Sequence, residues 1–192
     1  MIGNDVVDLV TAQTQSHWQR PGFLEKQFTK DERSDILSSE RPFLQVWLFW
    51  SMKEAAYKCY TQEIQERFFA PQKFVCEMTS SSSGIIQIRE KQYISESTIT
   101  DAYISTVATS GSTSKMISKL YTIPPDTNSS QFLKNKILAR FQKSITLQKN
   151  KFGIPSLFNE TLKLPYSVSI SHHGNYGAFA ISNTHDIKTT TV

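Results

Sequence analysis

Glu54 and Lys58 lie one helical turn apart in a stretch where bulky apolar residues fill most positions from Phe43 onward. On a helix Trp50, Glu54, Tyr57 and Lys58 share one stripe, because i, i+3 and i+4 are neighbours. A carboxylate in such a setting is unfavourable without a partner. Two readings stay open from these residues alone. Glu54 and Lys58 form a surface ion pair worth about a few tenths of a kcal/mol, or Glu54 holds a cation or takes a proton. The second reading needs further acids, and the opening of the chain offers Asp5 and Asp8. Met1 to Val10 alternates as a strand, with Gly3, Asp5, Val7 and Leu9 on one face and Asn4, Val6, Asp8 and Val10 on the other. Asp is depleted in strands. Asp5 shares an inward face with Val7 and Leu9, and Gly3 leaves room beside it for something bulky. Asp8 reads as a solvated acid at the strand end. Paired carboxylates that leave room for water suit Mg²⁺, which takes oxygen ligands and keeps waters or phosphate oxygens in its other positions. Late in the chain Ser171-His172-His173-Gly174 forms a polar junction between two strands. A His beside a Ser is more often a hydrogen-bonded structural residue than a ligand.

The elements that must position these groups follow from periodicity. A largely buried helix starts at Pro42 and runs through Ile64, ending before Pro71. Thr11 to Gly22 reads as a polar connection, and Phe23 to Ser38 as two helical pieces. The second of these opens on a capping box, Thr29 with Glu32, which an ordinary helix cap explains fully. Phe74–Met78, Ile85–Arg89, Ala102–Thr109 and Lys119–Ile123 read as strands of one antiparallel meander packed on the central helix. Ser110 to Ser114 reads as a turn. Gln131 to Ile145 is an amphipathic helix with Lys134, Lys136, Arg140 and Lys143 on its basic side. Lys149, Lys151 and Gly153-Ile154-Pro155 form a basic loop with a tight turn. Tyr166–Ile170 and Ala178–Ile181 are strands, and the Thr-rich tail from Asn183 reads as frayed. The expected fold class is α+β, in two lobes, residues 1–125 and 126–192.

At 192 residues the chain suits one medium domain or two small lobes sharing a core. Its net charge of +4 is mild; it fits an anionic ligand or an acidic partner without establishing a nucleic-acid binder. Four His and two Cys leave little material for a zinc site. Cys59 and Cys76 lack a CxxC spacing and read as buried free thiols. No apolar run reaches ~18 residues and no signal-peptide pattern opens the chain, so the expectation is a cytoplasmic protein without membrane contact. No P-loop or aspartate-rich nuclease pattern is present.

Together these features resemble the 4'-phosphopantetheinyl transferase superfamily. Ile2-Gly3-Asn4-Asp5-Val6-Val7-Asp8-Leu9 looks like its Gly-x-Asp opening strand, and Phe28-Thr29 followed by Glu32 like its Phe-Thr-x-x-Glu element. Trp50-Ser51-Met52-Lys53-Glu54-Ala55-Ala56-Tyr57-Lys58 looks like its Trp-x-x-Lys-Glu-Ala-x-x-Lys signature. Gly153-Ile154-Pro155 resembles the Gly-Lys/Arg-Pro loop, and Ser169-Ile170-Ser171-His172 the Ser-x-Ser-His strand end. Two departures stand out. Ile154 replaces the usual basic residue, with Lys149 or Lys151 as candidate substitutes. Val7 stands where the two-lobed, surfactin-synthetase-activating type has a second metal acid, so the opening strand is more similar to that of holo-acyl-carrier-protein synthase.

The resemblance implies antiparallel sheets packed against long helices in two pseudo-symmetric halves. It also implies Mg²⁺-dependent transfer of the phosphopantetheine arm of coenzyme A to a serine of an apo carrier protein, as in fatty-acid, polyketide or peptide synthesis, with release of 3',5'-ADP. Asp5 and Glu54 would hold the metal, and Glu54 would act as general base with Lys58 on a phosphate. Lys58, Lys151, Gly153, Pro155, Ser171 and His172 would bind coenzyme A. One chain with both halves and a short-type subunit that trimerises are the competing arrangements. A non-catalytic module holding coenzyme A or a carrier protein is the alternative function.

Overall fold

The computed structural model describes residues 1–68, 70–111 and 115–183. The tail beyond Asn183 and part of the expected turn at Ser110 to Ser114 lie outside the described residues. Strand β1 (Ile2–Asp8) is followed at once by helices α1 (Leu9–Gln15), α2 (Phe23–Gln27), α3 (Lys30–Ser38) and α4 (Pro42–Ile64). After a single 3₁₀ turn at Pro71–Lys73 come β2 (Val75–Met78), β3 (Ser83–Ile88), β4 (Lys91–Ile99), β5 (Tyr103–Thr109) and β6 (Met116–Thr122). Helix α5 (Ser129–Leu138) leads to β7 (Ile145–Lys149), β8 (Pro155–Asn159), β9 (Leu162–Lys163), β10 (Tyr166–His173) and β11 (Tyr176–Asn183). The fold is α+β, and every described strand pairing is antiparallel.

Three sheets result. The largest has the order β1-β5-β4-β3-β2, and α4 packs on it. The second is β10-β11-β6 and the third β7-β8-β9. Several expectations from sequence are corrected here. The meander ends at β5, because β6 pairs with β11 instead. The polar connection after the first strand begins as α1, nucleated by Asp8: its carboxylate accepts the Thr11 N–H at 2.9 Å, an N-cap. Only Leu9 and Ala12 of α1 are buried, too few for a helical pattern to show. The amphipathic helix stops at Leu138, and Ile145 already belongs to β7. Between β3 and β5 lies the full strand β4, whose polar residues hide its alternation in the sequence.

Pro42 occupies the first turn of α4, where its missing N–H is not required. The helix buries Val46, Phe49, Met52, Ala55, Ala56 and Cys59 completely. Gly3 is what lets β1 approach it: a Cβ there would overlap the Ala55 carbonyl. The room beside Asp5 is therefore filled by the backbone of α4 itself.

Strand β1 is an edge of the first sheet and β10 an edge of the second. Exposed strand edges leave unpaired N–H groups. Here side chains satisfy them. Ser167 Oγ accepts from Ile2 N and Ser169 Oγ from Asn4 N, both at 2.9 Å. Ser171 Oγ accepts from Asn4 Nδ2 at 2.8 Å, and His173 Nδ1 accepts from Asp8 N at 3.0 Å. The partners rise together along both strands, so β1 and β10 run parallel, joined by serine and histidine side chains. Gln62 of α4 clasps both edges, donating to Ile2 O at 2.8 Å and Val168 O at 3.2 Å.

Candidate active site

Asp5 projects from β1 toward α4, where Lys58 Nζ donates to its Oδ1 at 3.2 Å and to the Asn4 carbonyl at 2.7 Å. Glu54, one turn before Lys58, lies close enough for the Asp5 charge to act on it. Burial, and then the neighbouring Asp5 carboxylate, push the Glu54 pKa up to about 7, against the pull of Lys58. Burial likewise raises Asp5, opposed by the Lys58 charge and by hydrogen bonds from Lys58 and Ser51. Ser51 Oγ also meets Thr106 Oγ1 of β5 at 2.9 Å, which fixes its place beside the acid. Two carboxylates thus face one ammonium in a largely water-excluded corner. The three charges do not balance, which is the condition that keeps an acid near neutrality or awaits a cation.

The donor set has the character of a divalent-ion site. The ligating atoms are hard carboxylate oxygens, the two acids repel one another, and Mg²⁺ is commonly bound by one or two protein carboxylates with waters or phosphate oxygens completing its shell. The residues fit such an ion. Among the described residues no cluster of three or more His, Cys, Asp or Glu forms, so the protein would contribute only this pair.

Asp8 takes no part in this pair. Its Oδ1 accepts the Thr11 N–H and its Oδ2 accepts the Asn175 N–H at 2.9 Å, binding β1 to the β10–β11 turn. Those bonds hold its pKa below the usual carboxylate range despite its burial. Gly174, at φ 54°, is required beside it, because a Cβ would overlap the Asp8 carboxylate.

Glu32 and Lys53 prove to be structural. Glu32 closes the capping box of α3, as the sequence implied, and it also accepts from Lys53 Nζ at 2.8 Å and from the Cys76 N–H at 2.8 Å. Lys53 Nζ donates further to the Pro71 and Phe74 carbonyls at 2.9 and 2.7 Å. All three ammonium protons are used, and both side chains are essentially inaccessible to water.

A cavity of about 290 Å³ opens on the other side of Lys58. Tyr57, Lys58, Thr61, Gln62 and Arg67 form one wall. Lys149, Phe152, Gly153, Ile154 and Pro155 form the second, and Val168 to Ile170 of β10 the third. Gly153 sits at φ 80° in the tip between β7 and β8, a conformation that suits glycine. Of the residues singled out from sequence, Lys58, Gly153 and Pro155 line this cavity and Asp5 and Glu54 meet beside it. Lys151 does not line it; its ammonium lies 4.9 Å from the centre of the Phe152 ring. Ser171 is buried and bonded to Asn4. His172 is exposed, yet burial and the charges of Lys149 and Lys58 hold its pKa below the usual imidazole range, so it stands near both lysines. Arg67 and His173 were not singled out. A single arginine past a helix end carries no pattern. The role of His173 follows from strand alternation once Ser167, Ser169 and Ser171 are seen to face β1.

The model of the 4'-phosphopantetheinyl transferase superfamily matches residues 1–108, more than half of the chain. The chain belongs to this superfamily. The match takes in Asp5, Glu54, Lys58 and Arg67, while the second wall of the cavity lies outside it. No curated protein matches the chain. Phosphopantetheinyl transferases act on carrier proteins with coenzyme A as co-substrate, and typically with a divalent metal. No helix among the described residues is long and apolar enough to cross a membrane.

Proposed function

We propose that the chain is a Mg²⁺-dependent 4'-phosphopantetheinyl transferase with holo-acyl-carrier-protein synthase activity. It moves the phosphopantetheine arm of coenzyme A onto a serine of an apo carrier protein and releases 3',5'-ADP. The observation that carries this reading is the meeting of Asp5 and Glu54 with Lys58, which also lines a basic, half-apolar cavity. Asp5 and Glu54 would hold Mg²⁺, which when bound neutralises pyrophosphate charge and orients it for displacement. Glu54, with a pKa near the working pH, accepts the proton of the attacking serine. Lys58 spans both regions: its ammonium reaches Asp5 on one side and lines the cavity on the other, where it meets a phosphate oxygen. Phe152, Gly153, Pro155 and Ile170 give the cavity the apolar walls a nucleotide needs.

The cavity draws on elements from both ends of one chain, which favours a single chain with two halves over a subunit completed by trimerisation. The lobe boundary is best placed between β5 and β6, since β6 belongs to the sheet of β10 and β11. Carrier proteins are acidic around their serine, and the net charge of +4 would speed encounter with them. The test is incubation with coenzyme A, Mg²⁺ and a panel of apo carrier proteins, read by mass. A gain of one phosphopantetheine on any carrier supports the assignment and ranks the substrates. Binding of coenzyme A without transfer to any of them would favour a non-catalytic module.

A further inference from the structure

Charge is divided unevenly along the chain. Residues 1–111 carry eleven lysines and arginines against fourteen acids, whereas residues 115–163 carry nine against two. Within that second stretch, the run from Thr127 to Asn159 holds Lys134, Lys136, Arg140, Lys143, Lys149 and Lys151 and not one acid. Every ion pair among the described residues lies within residues 1–101, so none of these six cations takes part in one. All but Lys134 are exposed. Leu133 and Ile137 of α5 are fully buried, and Ile137 shares its core with Leu147 of β7, which sets α5 beside that strand and leaves Lys136, Arg140 and Lys143 on the surface. The Lys136 ammonium lies 5.2 Å from the centre of the Phe132 ring and 5.5 Å from that of Tyr121. The run leads to the candidate site: Lys149 lines the same cavity as Lys58, which bonds Asp5, and the charge of Lys149 acts on His172. A basic face is ordinarily just solvated. This one is segregated from the acids of the chain and ends at a reactive centre. It lies outside the residues that the superfamily model matches, 1–108. Phe132, Phe141 and Phe152 are half-buried against the protein, so no open stripe of rings is offered to stacked bases, which weighs against a nucleic acid.

We propose that the exposed basic run of α5 and β7, with Lys136, Arg140 and Lys143 at its centre, is the docking surface for the acidic face of the apo carrier protein. This rests on the transferase reading above for the identity of the partner. The surface steers and holds the carrier and touches none of the reacting groups. The first lobe, where acids outnumber cations, turns the same partner away.

The experiment follows transfer in steady state to whichever carrier of the panel the wild type modifies fastest, at about 50 and about 300 mM salt. The first variant combines Lys136→Glu, Arg140→Glu and Lys143→Glu. A milder one, Arg140→Gln with Lys143→Gln, keeps Lys136 on its rings. The control, Lys26→Glu, Lys30→Glu and Lys73→Glu, makes the same change of net charge at exposed positions of the first lobe that are in none of the ion pairs. The first variant should raise KM for the carrier about 10-fold or more at the lower salt and approach the wild type at the higher. Its affinity for coenzyme A, titrated without carrier, should stay within about two-fold, which also reports an intact fold. The milder variant should fall between, and the control should move KM less than about two-fold. An equal rise in the control would reduce the effect to net charge and overturn the surface. No rise in either variant of the run would also overturn it and leave the transferase reading standing; loss of binding to duplex DNA in the same variants would then give the surface to nucleic acid. A wild type that transfers no arm to any carrier would sink the transferase reading and this surface with it.

Discussion

Lys53 and Lys58 stand on the same helix and each meets acids, yet the two sites are built in opposite ways. Around Lys53 every donor has an acceptor and the Glu32 carboxylate is bonded through both oxygens. Around Lys58 two carboxylates compete for one ammonium, and burial leaves Glu54 with a pKa near 7. The first arrangement holds α3, α4 and β2 together. The second is unbalanced and can exchange a proton or take up a cation. Completeness of the hydrogen-bond set, more than burial, separates the structural pair from the reactive one.

The sharpest way to break that contrast is to exchange the charge at each site in turn. Glu54→Gln should lower kcat by at least ~100-fold, the scale of a lost general base. Because the substitution removes a repelled carboxylate, thermal unfolding of the variant at pH 8 should occur at or above the wild-type temperature. Lys53→Met should do the reverse. Leaving the Glu32 carboxylate buried and unpaired should cost about 3–5 kcal/mol in urea unfolding, with activity per folded molecule retained. The double variant Glu32→Gln with Lys53→Met should recover part of that loss.

Proton linkage sharpens the comparison further. The Glu54 pKa is about 7 in the folded chain against 4.5 for an ordinary glutamate. Between those values the folded state keeps a proton that the unfolded state releases, so stability falls as pH rises from 4.5 to 7 and is level above it. The full span is on the order of 3 kcal/mol. Unfolding followed in a chelator across this window should show the slope, and Glu54→Gln should flatten it. Added Mg²⁺ should raise the unfolding temperature more at pH 8 than at pH 5; an equal shift at both would argue against Glu54 as a ligand. Smallest of all, Asp8→Ala should destabilise the chain by about 1–2 kcal/mol through loss of the α1 cap, without changing KM for coenzyme A.

Helix α4 and the capping box at Thr29 were legible because apolar density, Pro42 and the Thr29–Glu32 spacing are local signals. That Asp5 and Glu54 lie near one another was also readable, since both are acids placed among residues that bury. Strand β4 was not, because Gln92, Ser95, Glu96, Ser97 and Thr98 dilute its alternation. Extending the amphipathic helix to Ile145 ignored a change of period that only pairing with β8 reveals. Glu32 looked like an ordinary cap because its second partner, Lys53, arrives from another helix. Arg67 escaped notice for a related reason: what matters is its position over Gly153, a contact between residues far apart in sequence.

The hydroxyl seam between β1 and β10 bears on when the protein can work. Strand β1 carries Asp5, but Ile2 and Asn4 cannot complete their bonding until Ser167 and Ser169, 165 residues later in each case, have been synthesised. Contacts this far apart in sequence slow folding and couple it to the synthesis of β10. A fragment stopping at residue 108 would hold every acid of the site and still lack the strand that closes its edge. Competence should therefore arrive only once β10 has been made, and all at once.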